Sequence, residues 1–241
     1  MSPLQIGLVG ATGRMGRLVE RMAQDRDDWE IVARIHRGVP LETAADCDLL
    51  IDFTVLDRSR EVVNFALERH LPVLVGTSGW SRALLEELRP KAEAGDQTVV
   101  VIPNFSVASA LSTRLAEMAA PFLSSAEVVE AHHAGKVDSP SGTAVATAEA
   151  IAAARERPFV PPHPEQRARG LEVEGVPVHS MRLTGIVARQ EIVFGGVGEL
   201  LTITHDTISD ESYLAGIERA IAYARTHPGL TVGLGKVLGL G

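Results

Sequence analysis

The sequence predicts an α/β fold: an open parallel sheet wound by helices in the N-terminal half, followed by an α+β half. Three observations predict it. Short apolar strands alternate with amphipathic helices from Gln5 to Ile102, a glycine-rich turn joins the first strand to the first helix, and the pattern changes beyond Pro103. Such alternation is what a sheet covered by helices on both faces requires.

The elements follow in order. Gln5–Val9 reads as a short buried strand, and Arg14–Gln24 as a helix with Met15, Leu18, Val19 and Met22 on one face. Glu30–Ile35, Leu49–Phe53, Pro72–Val75 and Thr98–Ile102 are further strands, and Arg58–Glu68 and Arg82–Glu93 the helices between them. A helix over Val107–Met118 ends by Pro121, Glu127–Ala131 reads as a strand, and Gly142–Arg155 as an alanine-rich helix. The stretch 157–177 holds five of the 13 prolines and reads as a long loop. Val178–Leu183, Glu191–Phe194 and Leu200–His205 alternate in the manner of antiparallel strands, and Glu211–Arg225 is the last helix. The expected boundaries are 1–104 with 211–241 for the first domain and 105–210 for the second.

Composition narrows the class of function. With 241 residues, 45% of them hydrophobic and 22% charged, the chain is an ordinary globular one with ample core. Only 4% are aromatic, so aliphatic side chains must fill that core. A net charge of −8 argues against nucleic-acid binding, which needs basic surface. The lone Cys47 cannot form an internal disulfide and fits a reducing, cytoplasmic setting. Met1 to Gln5 carry no basic region or long apolar run, so no signal peptide is expected, and runs such as Val99–Ile102 are too short to enter a membrane as a span.

The turn after the first strand is Gly10-Ala11-Thr12-Gly13-Arg14-Met15-Gly16. Glycines there allow a tight turn and close approach to a pyrophosphate, and the helix start offers free N–H groups and the positive end of its dipole. The spacing is GxxGxxG rather than GxGxxG. A glycine turn with no ligand is the plainer alternative, but its place in the first βα unit favours a dinucleotide on a Rossmann-type sheet. After the second strand stand Arg34, His36 and Arg37 and no acid. They are either solvated surface charge or the partner of a 2′-phosphate, which would suit NADPH. Gly76-Thr77-Ser78-Gly79 and Ile102-Pro103-Asn104-Phe105-Ser106 follow two further strand ends, where ligands of open α/β sheets bind. Both segments are also ordinary turn chemistry.

The densest chemical segment runs from Glu130 to Ala144 and contains His132, His133, Lys136 and the helix start Ser141-Gly142-Thr143. Ser141 has the character of an N-cap, the N–H groups behind it can hold a carboxylate, Lys136 adds positive charge, and a histidine exchanges protons near neutral pH. Together these describe a pocket for a small acidic substrate that gains a proton. Taken singly, each feature is commoner as plain structure. No ligand spacing for a metal is present, so no metal is expected. His70, His163, His179, His205 and His227 are scattered and read as surface or structural, and Asp52 and Glu199 have no identifiable partner.

These residues resemble the 4-hydroxy-tetrahydrodipicolinate (dihydrodipicolinate) reductase family. The resemblance runs in order through the glycine turn, Ile51-Asp52-Phe53-Thr54, Gly76–Gly79, Asn104–Ser106, Glu130–His133 with Lys136, Asp138–Ala144, His179–Arg182 and Ile203–His205. It implies a Rossmann domain hinged to an α+β domain that binds the dicarboxylate substrate and builds a homotetramer in the cytoplasm. It implies reduction of 4-hydroxy-tetrahydrodipicolinate to tetrahydrodipicolinate with NADPH or NADH, in lysine and diaminopimelate biosynthesis. Carried across, His132 is the acid/base and Lys136 the proton donor, with His133, Ser141, Gly142 and Thr143 on the substrate. Gly10, Ala11, Thr12, Gly13, Arg14, Met15, Arg37, Gly76, Thr77, Ser78, Ile102, Pro103, Asn104 and Phe105 hold the cofactor. The chain departs from the family where many members carry Glu-Arg after the second strand, having His36-Arg37, and where many carry Ser-Arg, having Ser209-Asp210. The segment from His36 to Asp48 is also short. Two other readings stand beside this one: a related NAD(P)-dependent amino-acid dehydrogenase, and a non-catalytic NADP-binding sensor with no need of His132 and Lys136.

Overall fold

The computed structural model describes residues 2–240, which divide into two compact units, 2–106 with 213–240, and Val107–Ser212. The first unit is built on six strands: β1 (Leu4–Val9), β2 (Trp29–Ile35), β3 (Leu49–Asp52), β4 (Val73–Val75), β5 (Thr98–Val101) and β11 (Gly229–Val232). They lie in the order β11-β5-β4-β3-β1-β2, every pair parallel. β3, β4 and β5 are buried at every residue, as the near-continuous apolar runs demanded. The helices of this unit are α1 (Arg14–Gln24), α2 (Leu56–Glu68), α3 (Arg82–Ala94), α6 (Leu214–Ala224) and the short α7 (Leu234–Val237). The order reverses at β1 and β3, and crevices that bind ligands in such sheets open beyond the strand ends at that reversal.

α6 belongs to this unit because Gly216 seats it on the loop after β5. A Cβ on Gly216 would fall 1.9 Å from the Phe105 carbonyl oxygen, so any side chain would push the helix off. β11 and α7 were not foreseen. Gly229 and Gly233, both at positive φ, delimit a four-residue strand too short to declare a period.

The second unit carries a five-stranded sheet: β6 (Ser125–His133), β7 (Leu171–Val173), β8 (Val176–Leu183), β9 (Ala188–Gly196) and β10 (Glu199–Thr207), ordered β10-β9-β6-β8-β7. α4 (Val107–Ala119) and α5 (Gly142–Ala153) pack with it around Val128, Val178, Ile192, Phe194, Ile151 and Phe159. The expectation of three antiparallel strands needs one correction. β9 runs antiparallel to both β6 and β10, but β8 runs parallel to β6, because α5 and the loop after it carry the chain back to the same end. The proline-rich stretch read as loop also contains β7, hairpinned to β8 through Glu174 and Gly175, both at positive φ. No helix among the described residues is long and apolar enough to cross a membrane.

Candidate active site

The segments singled out in the first unit all leave the same edge of its sheet, at the carboxyl ends of β1, β2, β4 and β5. Gly10 takes φ +85°, and a Cβ there would lie 2.3 Å from the Phe53 carbonyl oxygen, so only glycine lets the turn pass the end of β3. A Cβ on Gly16 would meet the Gly10 oxygen at 2.3 Å, which is why α1 can start so close to β1. The N-cap of α1 is Gly13, and no side chain caps the helix, so its positive end faces the turn. This is a cradle a side chain would fill, and it fits a pyrophosphate.

The neighbouring loops are fixed by a buried carboxylate. Asp52, fully buried at the end of β3, accepts from Thr54 Oγ1 at 2.6 Å and from Thr77 Oγ1 at 2.8 Å. Thr77 Oγ1 in turn accepts from the Thr54 backbone N–H at 2.9 Å. Asp52, which the sequence left without a partner, thus ties the Gly76–Ser78 loop to the end of β3. Above it Phe53 and Phe105 meet edge to face with centroids 5.7 Å apart. Asn104 Oδ1 accepts from the Ser106 N–H at 2.9 Å, closing the loop after β5. Arg14 lies over the Tyr213 ring, 6.0 Å from its centroid. Arg37 follows β2 with its side chain exposed.

The second unit places the acid/base candidates. Glu130 and His132 are two apart on β6 and share a sheet face, by the alternation of a strand. Glu130 is fully buried, and its Oε2 lies 2.6 Å from His132 Nδ1. Arg182 of β8, beside His132 in register, grips the same carboxylate in a fork, Nη1 to Oε2 and Nη2 to Oε1, both at 2.9 Å. The Ser141 N–H donates to Glu130 Oε1 at 3.1 Å. Ser141 caps α5 as expected, its Oγ accepting from the Ala144 N–H at 3.2 Å. A Cβ on Gly142 would meet nothing within 4 Å, so the space beside it is open, while its N–H bonds the Asp138 carboxyl. Lys136 Nζ is paired with Asp138 Oδ1 at 2.7 Å. His133, next along the strand, is exposed and takes no part in the Glu130 cluster.

Electrostatics follow from these contacts. Burial pushes the Glu130 carboxyl upward, but the hydrogen bonds from Arg182, Ser180 and His132 outweigh it and hold it below the ordinary carboxylate range. Burial also pulls the His132 imidazole below its ordinary value; Glu130 opposes this, while Lys136 and Arg182 add to it. The hydrogen bond from Lys136 holds the Asp138 carboxyl low. Glu130 and Arg182 escaped the sequence reading as site residues. The period-2 spacing of Glu130 and His132 was a usable signal, whereas Arg182 lies 52 residues from Glu130 and had none. His179, read as surface or structural, pairs with Glu127 on the same two strands at 2.7 Å. Among the described residues no group of three or more His, Cys, Asp or Glu side chains is placed to hold a metal.

Two family models match the chain: "Dihydrodipicolinate reductase, N-terminus" over residues 4–105 and "Dihydrodipicolinate reductase, C-terminus" over residues 107–238. The 4-hydroxy-tetrahydrodipicolinate reductase of Clavibacter sepedonicus is 46% identical over 236 residues, spanning 97% of this chain and 85% of the relative. That of Streptomyces griseus is 41% identical with all of both chains covered. Among solved structures, dipicolinate-bound dihydrodipicolinate reductase from Paenisporosarcina sp. TG-14 superposes with a TM-score of 0.84 at 28% identity, over 97% of this chain and 99% of that one. The NAD complex of GenD2 from gentamicin A biosynthesis, at 11% identity and a TM-score of 0.64, shares the fold.

Proposed function

This chain belongs to the dihydrodipicolinate reductase family, and from that premise we propose that it reduces 4-hydroxy-tetrahydrodipicolinate to tetrahydrodipicolinate in lysine and diaminopimelate biosynthesis. The observation that carries the reading is the grouping of a carboxylate-held His132, Lys136 and the N-terminus of α5 on one edge of one sheet. A relative of known structure binds dipicolinate, a planar dicarboxylate, and this grouping suits such an anion.

Replacing the substrate's hydroxyl by hydrogen consumes one hydride and one proton and releases water. Bound NADPH or NADH supplies the hydride. The chain's own residues do the rest. The N–H groups behind Ser141, with Gly142 and Thr143, hold a carboxylate, and His133 adds a further contact from the end of β6. Lys136 Nζ hands over a proton, and His132 exchanges one through the ring nitrogen that Glu130 does not occupy. On the first unit the turn Gly10–Met15, the Gly76–Ser78 loop and Ile102–Phe105 cradle the cofactor. Arg37 faces the 2′-phosphate of NADPH, so NADPH serves at least as well as NADH.

In this reading 1–104 with 211–241 is the cofactor domain and 105–210 the substrate and assembly domain, the enzyme is cytoplasmic, and it is a homotetramer. Exposed Met181, Leu183 and Leu200, on the sheet face turned away from Glu130, support assembly through that face. The test is turnover: NADPH absorbance followed with enzymatically generated 4-hydroxy-tetrahydrodipicolinate. No oxidation of NADPH above the rate without protein overturns the proposal.

A further inference from the structure

The Glu130 carboxylate touches three separate parts of the site. Its Oε2 meets His132 Nδ1 at 2.6 Å. Its Oε1 accepts from the Ser141 N–H, the residue that caps α5, at 3.1 Å. Both oxygens are forked by Arg182 at 2.9 Å. Arg182 then reaches further: its Nη2 donates to the Asp138 carbonyl oxygen at 2.5 Å, inside the loop that carries Lys136.

We propose that the Glu130–Arg182 pair is the positioning element of this substrate site, fixing the His132 ring, the start of α5 and the Lys136 loop relative to one another. Neither residue touches the reacting atoms; both act through residues that do. The inference rests on the functional reading above.

Donor counting gives the pair its specific consequence. A carboxylate offers about four lone-pair sites. Five donors converge on those of Glu130, two from the Arg182 fork and one each from the Ser141 N–H, Ser180 and His132, so none is left over. The residue is fully buried, so no water competes. A saturated, buried carboxylate paired with a guanidinium stays ionised and can only accept. His132 Nδ1 must therefore carry the proton of that hydrogen bond. In the neutral ring Nε2 is then the acceptor, so the pair selects one of the two tautomers as well as the ring's orientation. The charged groups that bear on this ring are Glu130 on its own strand, Arg182 on β8 and Lys136 in the following loop.

The fork also explains why arginine stands at 182. A lysine offers a point charge and cannot bridge two carboxylate oxygens and the Asp138 carbonyl together.

The experiment combines tautomer and kinetics. Protein with ¹⁵N-labelled histidine, assigned through His132→Asn, is observed by NMR at pH 7.5; the Nδ1–H form of His132 is expected. Glu130→Gln and Arg182→Lys are assayed beside wild type, with NADPH titration and urea unfolding. Glu130→Gln is expected to lower kcat by roughly tenfold to a hundredfold, the order of a misaligned acid/base, and to displace the acid limb of its pH profile. NADPH affinity stays within twofold. Arg182→Lys lowers kcat and raises the substrate KM together. An Nε2–H tautomer in wild type, or both variants with kcat and pH profile within twofold of wild type, overturns the proposal. Should Glu130→Gln not fold, the wild-type tautomer and Arg182→Lys still decide. If wild type fails to turn the substrate over, the functional reading falls, while the tautomer still reports on the pair.

Discussion

Arg34 Nε lies 2.6 Å from Glu20 Oε1, so the arginine inside β2 is held by α1, whereas Arg37, beyond the strand end, has an exposed side chain. The two arginines that the sequence could not separate are thereby distinguished. Arg37→Ala is expected to raise the KM for NADPH roughly tenfold or more, the worth of a charge-assisted hydrogen bond to phosphate, and to leave the KM for NADH almost unchanged. Arg34→Ala should discriminate little between the cofactors. Steady-state kinetics with both cofactors decide it; equal losses for the two in Arg37→Ala would count against a 2′-phosphate contact.

His132→Ala should lower kcat by roughly a hundredfold or more, the usual contribution of a positioned acid/base. Lys136→Ala should lower kcat and also raise the substrate KM, since its charge faces an anion in the ground state as well. His133→Ala, outside the Glu130 cluster, should act mainly through KM. Fluorescence titration should show NADPH affinity unchanged in all three. Near-normal kcat in both His132→Ala and Lys136→Ala would remove the proposed chemistry.

Thr77→Val keeps shape but deletes a donor to the fully buried Asp52 and the acceptor of the Thr54 N–H. Buried polar groups left unpaired cost about 1–3 kcal/mol. The variant should show a lower urea midpoint with an unchanged m-value, and weaker NADPH binding because the Gly76–Ser78 loop loses its tie to β3. A midpoint and affinity equal to wild type would show that the network is dispensable.

Burial holds both His132 and His205 below the ordinary histidine value. A histidine whose folded pKa is depressed binds fewer protons in the native state than in the unfolded chain, so its contribution is complete above about pH 6.5 and is lost as pH falls from there toward the folded value. Glu130, also depressed, adds a loss at lower pH, beginning near the ordinary glutamate value of about 4.3. Urea midpoints should therefore fall from pH 7.5 to pH 5 and again below it. His132→Asn, whose amide can still donate to Glu130, should flatten the upper part of that decline and spare the lower. A wild-type midpoint that rises on acidification to pH 5 would reverse the sign.

Light scattering at micromolar concentration should give a mass four times that of the chain. Replacing Met181 and Leu183, exposed on one face of β8, by lysine should shift that mass downward. A wild-type monomer refutes the assembly.

What the sequence determined by itself was local. The 3.6-residue spacing of Leu18 and Val19 with Met15 and Met22, the apolar runs at 49–51 and 99–101, the Gly10–Gly16 turn and the Ser141 cap all act over a few residues, and the helices and strands they specify formed where those signals stand. The tertiary structure decided everything that depends on chain segments meeting. It turned β8 parallel to β6, because a strand's own alternation is the same whichever way its neighbour runs. It gave Asp52 its Thr77 across 25 residues and Glu130 its Arg182 across 52. Hydrophobic periodicity is written into the sequence because burial is a property of each residue. A buried ion pair is a property of two residues brought into register by the sheet between them, and that register exists only once the chain has folded.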